Sequence, residues 1–279
     1  MAPSPAELAT LEAFALTLAQ AAADVALPLF RARDLAEINK GNASRADVFF
    51  DPVTEADKGA ERAIRALIEA HYPDHGIIGE EYGTIRPDAD FVWVLDPVDG
   101  TRAFISGLPL WTTLIGLRFQ GRPILGLISQ PYLKEVFLGS PLGSRLVTPE
   151  GSTPLKVRDC TGLSAAVIAT TDPHLYSGDE VAAFNHTRLA AKLIRYGCDA
   201  YAFAMVAQGT MDAALETGLK AWDIDAIIPV IENAGGIVTD WVGEPVGSYG
   251  GQVIAAGSRA VLTEALAHLS LSSRPADPH

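Results

Sequence analysis

Apolar residues recur at helical spacing in two stretches near the start of the chain. In residues 6–30, leucine and alanine return every three or four positions, and Pro28 is expected to end or kink the predicted helix. A second helix is predicted to begin after Thr54, because a Thr followed three positions later by an acid, here Asp57, is typical of a capping box. Its apolar face consists of Ala60, Ala63, Ile64, Leu67 and Ile68. The chain is therefore expected to open with two helices that each bury one face.

The segment between these helices, residues 31–50, mixes polar, apolar and glycine positions without a period. We expect a loop there, either a solvated connector or a flap that carries Lys40 or Arg45. Both alternatives place the segment at the surface, where connecting loops run.

Short apolar runs separated by turn residues occupy the middle of the chain. The continuous apolar run at 91–95 predicts a buried strand. Four further runs alternate with Gly- and Pro-containing turns, which predicts an antiparallel meander. The strands of this meander are predicted at 112–119, 123–130, 134–139 and 144–148.

Strands and helices alternate in the second half of the chain, as is typical of an α/β protein. Strands are predicted at 165–169, 193–196, 211–216, 237–239 and 253–256, and helices at 180–191, 200–208, 221–233 and 259–268. The change of pattern divides the chain into an N-terminal α+β part, residues 1–150, and a C-terminal α/β part, residues 151–279. We expect these parts to share an interface and form one compact unit.

The balance of charged residues is acidic, since 34 Asp and Glu oppose 21 Lys and Arg for a net charge of −13. A polymeric nucleic acid needs a basic face, so this composition argues against such a partner. No Lys or Arg precedes Arg31, which is the wrong charge order for a signal peptide, and no apolar run is long enough to span a bilayer. We therefore expect a cytoplasmic protein without a membrane partner.

Six residues after the predicted strand carry the strongest chemical signal, Asp-Pro-Val-Asp-Gly-Thr at 96–101. Asp96, Asp99 and the Val98 carbonyl between them offer the oxygen ligands that a hard divalent cation prefers. Thr101 could cap a following helix, whose N–H groups would favour a phosphate. The alternative is a strand–turn–helix corner in which Pro, Asp and Gly serve only the turn.

Other acids stand at comparable junctions, where a strand or loop meets a helix or a turn. Asp57 opens the second helix, Glu80 and Glu81 follow the apolar pair at 77–78, and Asp223 opens a late helix. In isolation, Asp57 is a helix-start acid and the Glu pair is a solvated edge. Gathered at one point, these acids could hold two or three Mg²⁺ ions, an arrangement suited to phosphoryl transfer.

Four motifs resemble, in order and spacing, the signature of the inositol monophosphatase superfamily. They are Val-Thr-Glu-Ala-Asp ending at Asp57, Gly-Glu-Glu at 79–81, the motif at 96–101 and Trp-Asp at 222–223. The resemblance covers residues 6–268 and implies an α/β (α+β) fold built as a layered αβαβα sandwich. It also implies a lithium-sensitive phosphomonoesterase with two to three Mg²⁺ ions per active site, acting on a small phosphate monoester. Homodimerisation is a further expectation from the family.

The resemblance implies a metal-binding role for six residues. Glu80, Asp96 and the Val98 carbonyl resemble ligands of a first ion, Asp96, Asp99 and Asp223 resemble ligands of a second, and Glu81 resembles a contributor to a weaker third. The expected catalytic group is Asp57, Thr101 and Glu80. Within it, Asp57 and Thr101 resemble the pair that orients or deprotonates the attacking water, and Gly100 and Thr101 resemble phosphate contacts.

The leaving-group pocket is where the chain is similar to one branch of the superfamily, the histidinol-phosphate phosphatases. The expected substrate contacts are Arg195, Gly197, Cys198, Asp199 and Glu216. Asp199 and Glu216 would offer charge-assisted partners to the ammonium and imidazole groups of histidinol, unless Asp199 only caps the helix at 200–208. The resemblance thus implies hydrolysis of L-histidinol phosphate, a step in histidine biosynthesis. Inositol 1-phosphate or a broad range of small esters is the alternative.

Two other classes fit parts of the sequence. The Asp-Ile-Asp at 223–225 resembles the nucleophile motif of haloacid-dehalogenase-type phosphatases, but that motif should end an early strand, and here it opens a late helix. A metal-loaded regulatory scaffold would be expected to lack at least one chemical residue of the site. All of these residues are present, which argues against the scaffold. A phosphatase of the inositol monophosphatase type is therefore favoured over both alternatives.

Overall fold

Helices and strands alternate along the described part of the chain. A computed structural model describes residues 2–32, 37–39, 52–247 and 250–272. The helices there are α1 Pro5–Leu29, α2 Glu55–His71, α3 Thr101–Ile105, α4 Asp179–Ala190, α5 Asp199–Gln208, α6 Ala221–Ile224, α7 Ile227–Glu232 and α8 Arg259–Leu269. The strands there are β1 Glu37–Asn39, β2 Pro52–Thr54, β3 Gly76–Gly79, β4 Gly83–Ile85, β5 Phe91–Asp99, β6 Thr112–Phe119, β7 Arg122–Gln130, β8 Glu135–Ser140, β9 Gly143–Thr148, β10 Gly151–Pro154, β11 Val167–Thr170, β12 Leu193–Tyr196, β13 Ala213–Leu219, β14 Ile237–Thr239 and β15 Gly251–Ala256. They stack in five layers, which confirms the predicted αβαβα sandwich.

The larger sheet has eight strands within the described residues, in the order β10-β9-β8-β7-β6-β5-β3-β4. Strands β6 to β9 are the predicted antiparallel meander, with nearly the predicted ends. Strand β3 lies parallel to β5, so the ends of these two strands meet at the same edge of the sheet. Strand β10 continues the meander as far as Pro154. The division of the chain near residue 150 stays a prediction.

Helix α1 covers the outer face of this sheet together with α2, and it ends one residue after Pro28. By length and composition alone, with a mean hydropathy of 1.3 over 18 residues, it is the one helix among the described residues that could span a membrane. Half of that stretch is buried in the fold, where Leu11, Ala15 and Leu18 pack in the same apolar cluster as Trp93 of β5. In this fold the apolar face of α1 is therefore part of the core.

The smaller sheet has five strands within the described residues, in the order β12-β11-β13-β15-β14. Strand β11 is parallel to β12 and β13, whereas β15 is antiparallel to β13 and β14. Helices α5 and α7 lie between the two sheets, where Phe203 and Val230 share an apolar cluster with Phe137 of the larger sheet and Val253 of the smaller one. Helices α4 and α8 cover the opposite face of the smaller sheet. The two sheets are therefore packed against one middle layer of helices, which fixes their positions relative to each other.

Two predicted elements differ from the structure. The single helix predicted at 221–233 is divided into α6 and α7 at Asp225 and Ala226. Pro229 explains the division, because it has no N–H to donate to the Asp225 carbonyl and is tolerated only near a helix start. In the segment 31–50, β1 pairs with β2 where a loop was expected, and Lys40 and Arg45 lie outside the described residues.

Candidate active site

The end of β5 delivers two carboxylates to one point through an irregularity in the sheet. Asp96 is paired with Leu114 of β6 and Asp99 with Thr112, so three steps along β5 match two along β6. In a regular strand, residues three apart point to opposite faces, and one extra residue of this kind restores them to the same side. This bulge allows both side chains to face the middle layer.

Helix α6 supplies the third carboxylate of this group. One oxygen each from Asp96, Asp99 and Asp223 lie within 4.8 Å of one another. The Asp223 carboxylate is oriented by the backbone N–H of Lys220, which donates to it at 2.6 Å. We name these three side chains the acid cluster.

Burial and mutual repulsion act on all three groups of the acid cluster. Burial, and then the charge of Glu80, hold the pKa of Asp96 well above its usual range. Burial also holds the pKa of Asp223 well above its usual range, although the Lys220 N–H opposes the shift. The pKa of Asp99 rises to about 7 because it is buried and lies near Asp199. These three carboxylates fit a divalent cation, which takes carboxylate oxygens as ligands and offsets the negative charge that burial disfavours.

Glu80 joins the acid cluster from the end of β3. Its backbone N–H donates to the Leu95 carbonyl at 3.2 Å, next to Asp96. Glu80, Val98 and the acid cluster line one cavity of about 300 Å³, a size that suits a small ligand. The structure thus brings together five of the six residues expected to bind metal. Glu81 does not line this cavity among the described residues, although its N–H donates to the Glu61 carboxylate at 2.8 Å.

Asp57 and Thr101 form a hydrogen-bonded pair beside the cavity. Thr101 Oγ1 lies 3.1 Å from Asp57 Oδ1 and also 3.1 Å from the Val98 carbonyl oxygen. Asp57 Oδ2 accepts from the Thr54 N–H at 2.8 Å, which completes the predicted capping box of α2. Burial raises the pKa of Asp57, while the bonds from Thr54 oppose the shift. Asp57 therefore caps the first turn of α2 through Oδ2 and contacts Thr101 of the site through Oδ1.

Gly100 connects the acid cluster to the rest of the cavity. Its φ of +78° lies in the left-handed region, and a Cβ there would come within 3.0 Å of the Asp199 carboxylate. Glycine is thus favoured both by the backbone and by the approach of Asp199. Thr101 follows as the first residue of α3, where helix N–H groups have no partner within the helix.

Two more acids line the same cavity, Asp199 of α5 and Glu216 of β13. Burial raises the pKa of Asp199 to about 6, although the positive charge of Arg102 opposes the shift. Burial raises the pKa of Glu216 to about 8, although the Thr171 N–H donates to its carboxylate at 2.5 Å. Asp199 does not cap α5 through its side chain; Asp99 Oδ2 accepts the Ala200 N–H instead, at 2.8 Å. Both acids face the cavity that holds the acid cluster.

Three residues expected to contact the substrate are not part of the cavity lining in the described structure: Arg195, Gly197 and Cys198. Arg195 is exposed on the edge strand β12, and Cys198 is buried with its Sγ 3.6 Å from the Tyr196 carbonyl. Cys198 has a free thiol, whose pKa is raised by burial. Arg195 belongs to β12, and Gly197 and Cys198 form the turn that leads into α5, outside the lining of the cavity.

The structure also places residues in the cavity that sequence reasoning missed, Arg102, Thr171 and Thr217. Arg102 brings a positive charge to an otherwise acidic lining, and its Nη1 lies 3.6 Å from Asp172 Oδ2. Its position directly after the 96–101 motif was a signal that could have identified it. Thr171 directly follows β11 and Thr217 lies in β13, and only the pairing of these strands in the sheet brings the two residues to one cavity.

The Asp-x-Asp alternative does not fit the position of Asp225. Its carboxylate is buried in an ion pair with Arg118, whose Nη2 lies 3.0 Å from Asp225 Oδ1. Asp225 is absent from the lining of the cavity that contains Asp223. Asp223 and Asp225 therefore lie at separate sites and do not form the two-acid nucleophile motif.

Comparisons with known proteins identify the family of this chain. The sequence profile of the inositol monophosphatase family matches residues 7–274. The bifunctional phosphatase IMPL2, chloroplastic, of Arabidopsis thaliana is 43% identical over 249 residues, which cover 86% of this chain and 68% of that protein. The histidinol-phosphatase of Chlorobaculum parvum is 34% identical over 230 residues, which cover 82% of this chain and 85% of that protein. A solved inositol monophosphatase from Zymomonas mobilis has a TM-score of 0.82 at 38% identity, covering 96% of this chain and 100% of that one.

The chain belongs to the inositol monophosphatase family. It is a phosphatase of that family, in which catalysis depends on metal ions, typically Mg²⁺. The acid cluster provides the carboxylates that such a metal requires.

Proposed function

We propose that the protein is a Mg²⁺-dependent phosphomonoesterase that hydrolyses L-histidinol phosphate to L-histidinol and phosphate. The observation that carries the choice of substrate is the presence of Asp199 and Glu216 in the same cavity as the acid cluster. Histidinol has an ammonium group and an imidazole, and carboxylates are charge-assisted partners for both. The name of the Chlorobaculum relative, a histidinol-phosphatase, supports this choice, and the name of the Arabidopsis relative supports the phosphatase class alone.

The proposed metal ligands are the acid cluster, Glu80 and the Val98 carbonyl, with Glu81 as a contributor to a weaker site. When bound, two or three Mg²⁺ ions would acidify a coordinated water and offset charge on the leaving oxygen. Gly100 and Thr101 would hold the phosphate through backbone N–H groups at the start of α3.

Thr101 and Asp57 are the proposed positioning pair for the attacking water. A hydroxyl has one proton, so Thr101 Oγ1 can donate to Asp57 or to the Val98 carbonyl, but not to both. With the carbonyl oxygen given to a cation, the proton would go to Asp57. The lone pairs of Thr101 would then accept a hydrogen bond from the water and direct its oxygen toward phosphorus.

A substrate panel tests the proposal. Phosphate release would be measured from histidinol phosphate, inositol 1-phosphate, fructose 1,6-bisphosphate and adenosine bisphosphate, with Mg²⁺ and with a chelator. We expect the highest kcat/KM for histidinol phosphate and no release in the chelator. A higher kcat/KM for inositol 1-phosphate would favour the second candidate, an inositol monophosphatase, which the name of the Zymomonas relative supports.

We further propose a homodimer in the cytoplasm without a membrane partner. The exposed apolar side chains of Leu193 and Tyr196 on the edge strand β12, and of Leu189 in the last turn of α4, support an interface with a second copy. Light scattering of the purified protein tests the dimer, since a monomer mass would contradict it.

A further inference from the structure

Glu61 of α2 is a buried acid that the proposed chemistry does not use. It is 0% exposed, and its carboxylate lies beneath the turn between β3 and β4, which carries Glu80 and Glu81. Glu61 Oε2 accepts the N–H of Glu81 at 2.8 Å, and Oε1 accepts the N–H of Tyr82 at 3.1 Å. Two consecutive peptide groups of the turn are therefore held by one carboxylate.

Gly79, at the end of β3, makes this approach feasible. A Cβ at position 79 would stand 2.0 Å from Glu61 Oε1, closer than any real Cβ contact allows. The absence of a side chain directly before Glu80 thus admits the Glu61 carboxylate beneath the turn. The Gly-Glu-Glu at 79–81 has a glycine for this reason, in addition to its acids.

Arg65, one helical turn further along α2, completes the contact. Its Nε donates to Glu61 Oε1 at 2.7 Å, and its Nη2 donates to the Gly83 carbonyl. The pair spans positions i and i+4, so both side chains lie on one face of α2. Together, Glu61 and Arg65 contact the turn from Gly79 to Gly83, and we name them the α2 clamp.

The other side of Glu80 is fixed by β5. The Glu80 N–H donates to the Leu95 carbonyl at 3.2 Å, immediately before Asp96. Helix α2 also carries Asp57 in its first turn, where it meets Thr101. Helix α2 therefore contacts the turn that bears Glu80 and itself carries Asp57, the residue that bonds to Thr101.

We propose that the α2 clamp fixes the direction in which Glu80 enters the cavity and thereby sets the affinity of the site for Mg²⁺. This inference rests on the proposed metal-dependent function, and it makes Glu61 and Arg65 positioning residues. Mutation of a group that orients a metal ligand typically lowers the metal affinity by roughly 10- to 100-fold. A buried ion pair with only a structural role would change stability without changing that affinity.

The test compares three variants after removal of metal. Glu61→Gln keeps the volume of the side chain but leaves one acceptor oxygen for two peptide N–H groups. Arg65→Gln removes the ion pair and the contact to Gly83 at a partly exposed position. Glu12→Gln is the matched control, because Glu12 is another buried acid, bonded to Arg145 at 2.6 Å and to Ser140, at a place away from the cavity.

Calorimetric titration with Mg²⁺ in the absence of substrate gives the Kd of each protein, and thermal unfolding gives its Tm. We expect the Mg²⁺ Kd to rise by roughly 10- to 100-fold in Glu61→Gln and in the same direction in Arg65→Gln. Glu12→Gln should lower the Tm and leave the Kd at the wild-type value. The Mg²⁺ concentration for half-maximal phosphate release should rise in parallel with the Kd.

The inference is overturned if either clamp variant folds and binds Mg²⁺ as tightly as the wild type. It is also overturned if Glu12→Gln weakens Mg²⁺ binding to the same extent, since loss of stability would then explain the effect. A wild-type protein that binds no Mg²⁺ would instead contradict the proposed function. If Glu61→Gln does not fold, Arg65→Gln decides the question, and failure of both to fold would assign the clamp a purely structural role.

Discussion

The carboxylate of Asp99 accepts a hydrogen bond from the backbone N–H of Ala200 at 2.8 Å. This bond joins the end of β5 to the first turn of α5, so a member of the acid cluster also fixes the helix that carries Asp199. Asp199 itself has a φ of +43°, a left-handed conformation that is uncommon outside glycine. The proposed metal site and the proposed substrate wall are therefore parts of one hydrogen-bonded unit.

Replacing Asp96 by Asn should remove activity and leave the fold intact. We expect kcat/KM to fall by more than about 100-fold, because even groups that only orient metal ligands cost 10- to 100-fold. The Tm of the metal-free protein should also rise, because Asn removes a carboxyl group whose ionised form is disfavoured by burial and by the neighbouring acids. Turnover assays and thermal unfolding in a chelator measure the two effects. Activity near the wild-type value would contradict the role of Asp96.

Removing metal should destabilise the protein as well as inactivate it. A cation that binds only the folded state adds about 2.7 kcal/mol to the free energy of unfolding at 100 times its Kd. We expect the Tm to rise with Mg²⁺ concentration in the wild type and to rise much less in Asp96→Asn. An equal response of both proteins would place the ion elsewhere.

Thr101→Ala should lower kcat much more than it changes KM. The hydroxyl is proposed to position the attacking water, and misplacement of a reacting group can cost about 100-fold in rate. Thr101→Ser keeps the hydroxyl and the bond to Asp57, so it should retain most of the activity. Steady-state kinetics of the two variants distinguish this role from a packing role, in which Ser would be as damaging as Ala.

Asp199→Asn and Glu216→Gln should discriminate between substrates. A hydrogen bond to a charged group contributes about 1.5–3 kcal/mol, so KM for histidinol phosphate should rise roughly 10- to 100-fold. KM for inositol 1-phosphate, which has no ammonium group, should change much less. The ratio of the two KM values is the measurement, and equal changes for both esters would reject the acidic pocket.

Glu216 should give the metal-free protein a pH-dependent stability. Burial raises its pKa from an ordinary 4.5 to about 8 in the folded protein. Between these values the folded state keeps a proton that the unfolded state has released, so the free energy of unfolding falls as the pH rises from about 4.5 to about 8. Glu216→Gln has no such proton and should show a shallower fall of Tm over that range. Glu69→Gln, at an exposed position, serves as the control and should keep the wild-type slope.

The periodic elements were predictable because their signals are local. The meander at 112–148 and the strand at 193–196 follow from apolar runs between turns, and the capping box at Thr54 follows from two side chains three positions apart. The division of α6 from α7 was missed because the apolar period runs through it, although Pro229 marks the place.

The sequence by itself predicted most helices and strands and the acids available for chemistry, because helical period and strand patterning are properties of neighbouring positions. Its ordered motifs implied the family, and the family resemblance implied the layered fold. Only the tertiary structure decided which of these acids meet. The bulge in β5 turns Asp96 and Asp99 to the same side, and the parallel pairing of β3 with β5 brings Glu80 beside them. The tertiary structure also decided which other residues line the cavity. Asp199, Glu216 and Arg102 do so, whereas Arg195, Gly197 and Cys198 do not. Strand order and helix packing set these distances, and contacts across more than 100 positions leave no periodic trace in the chain.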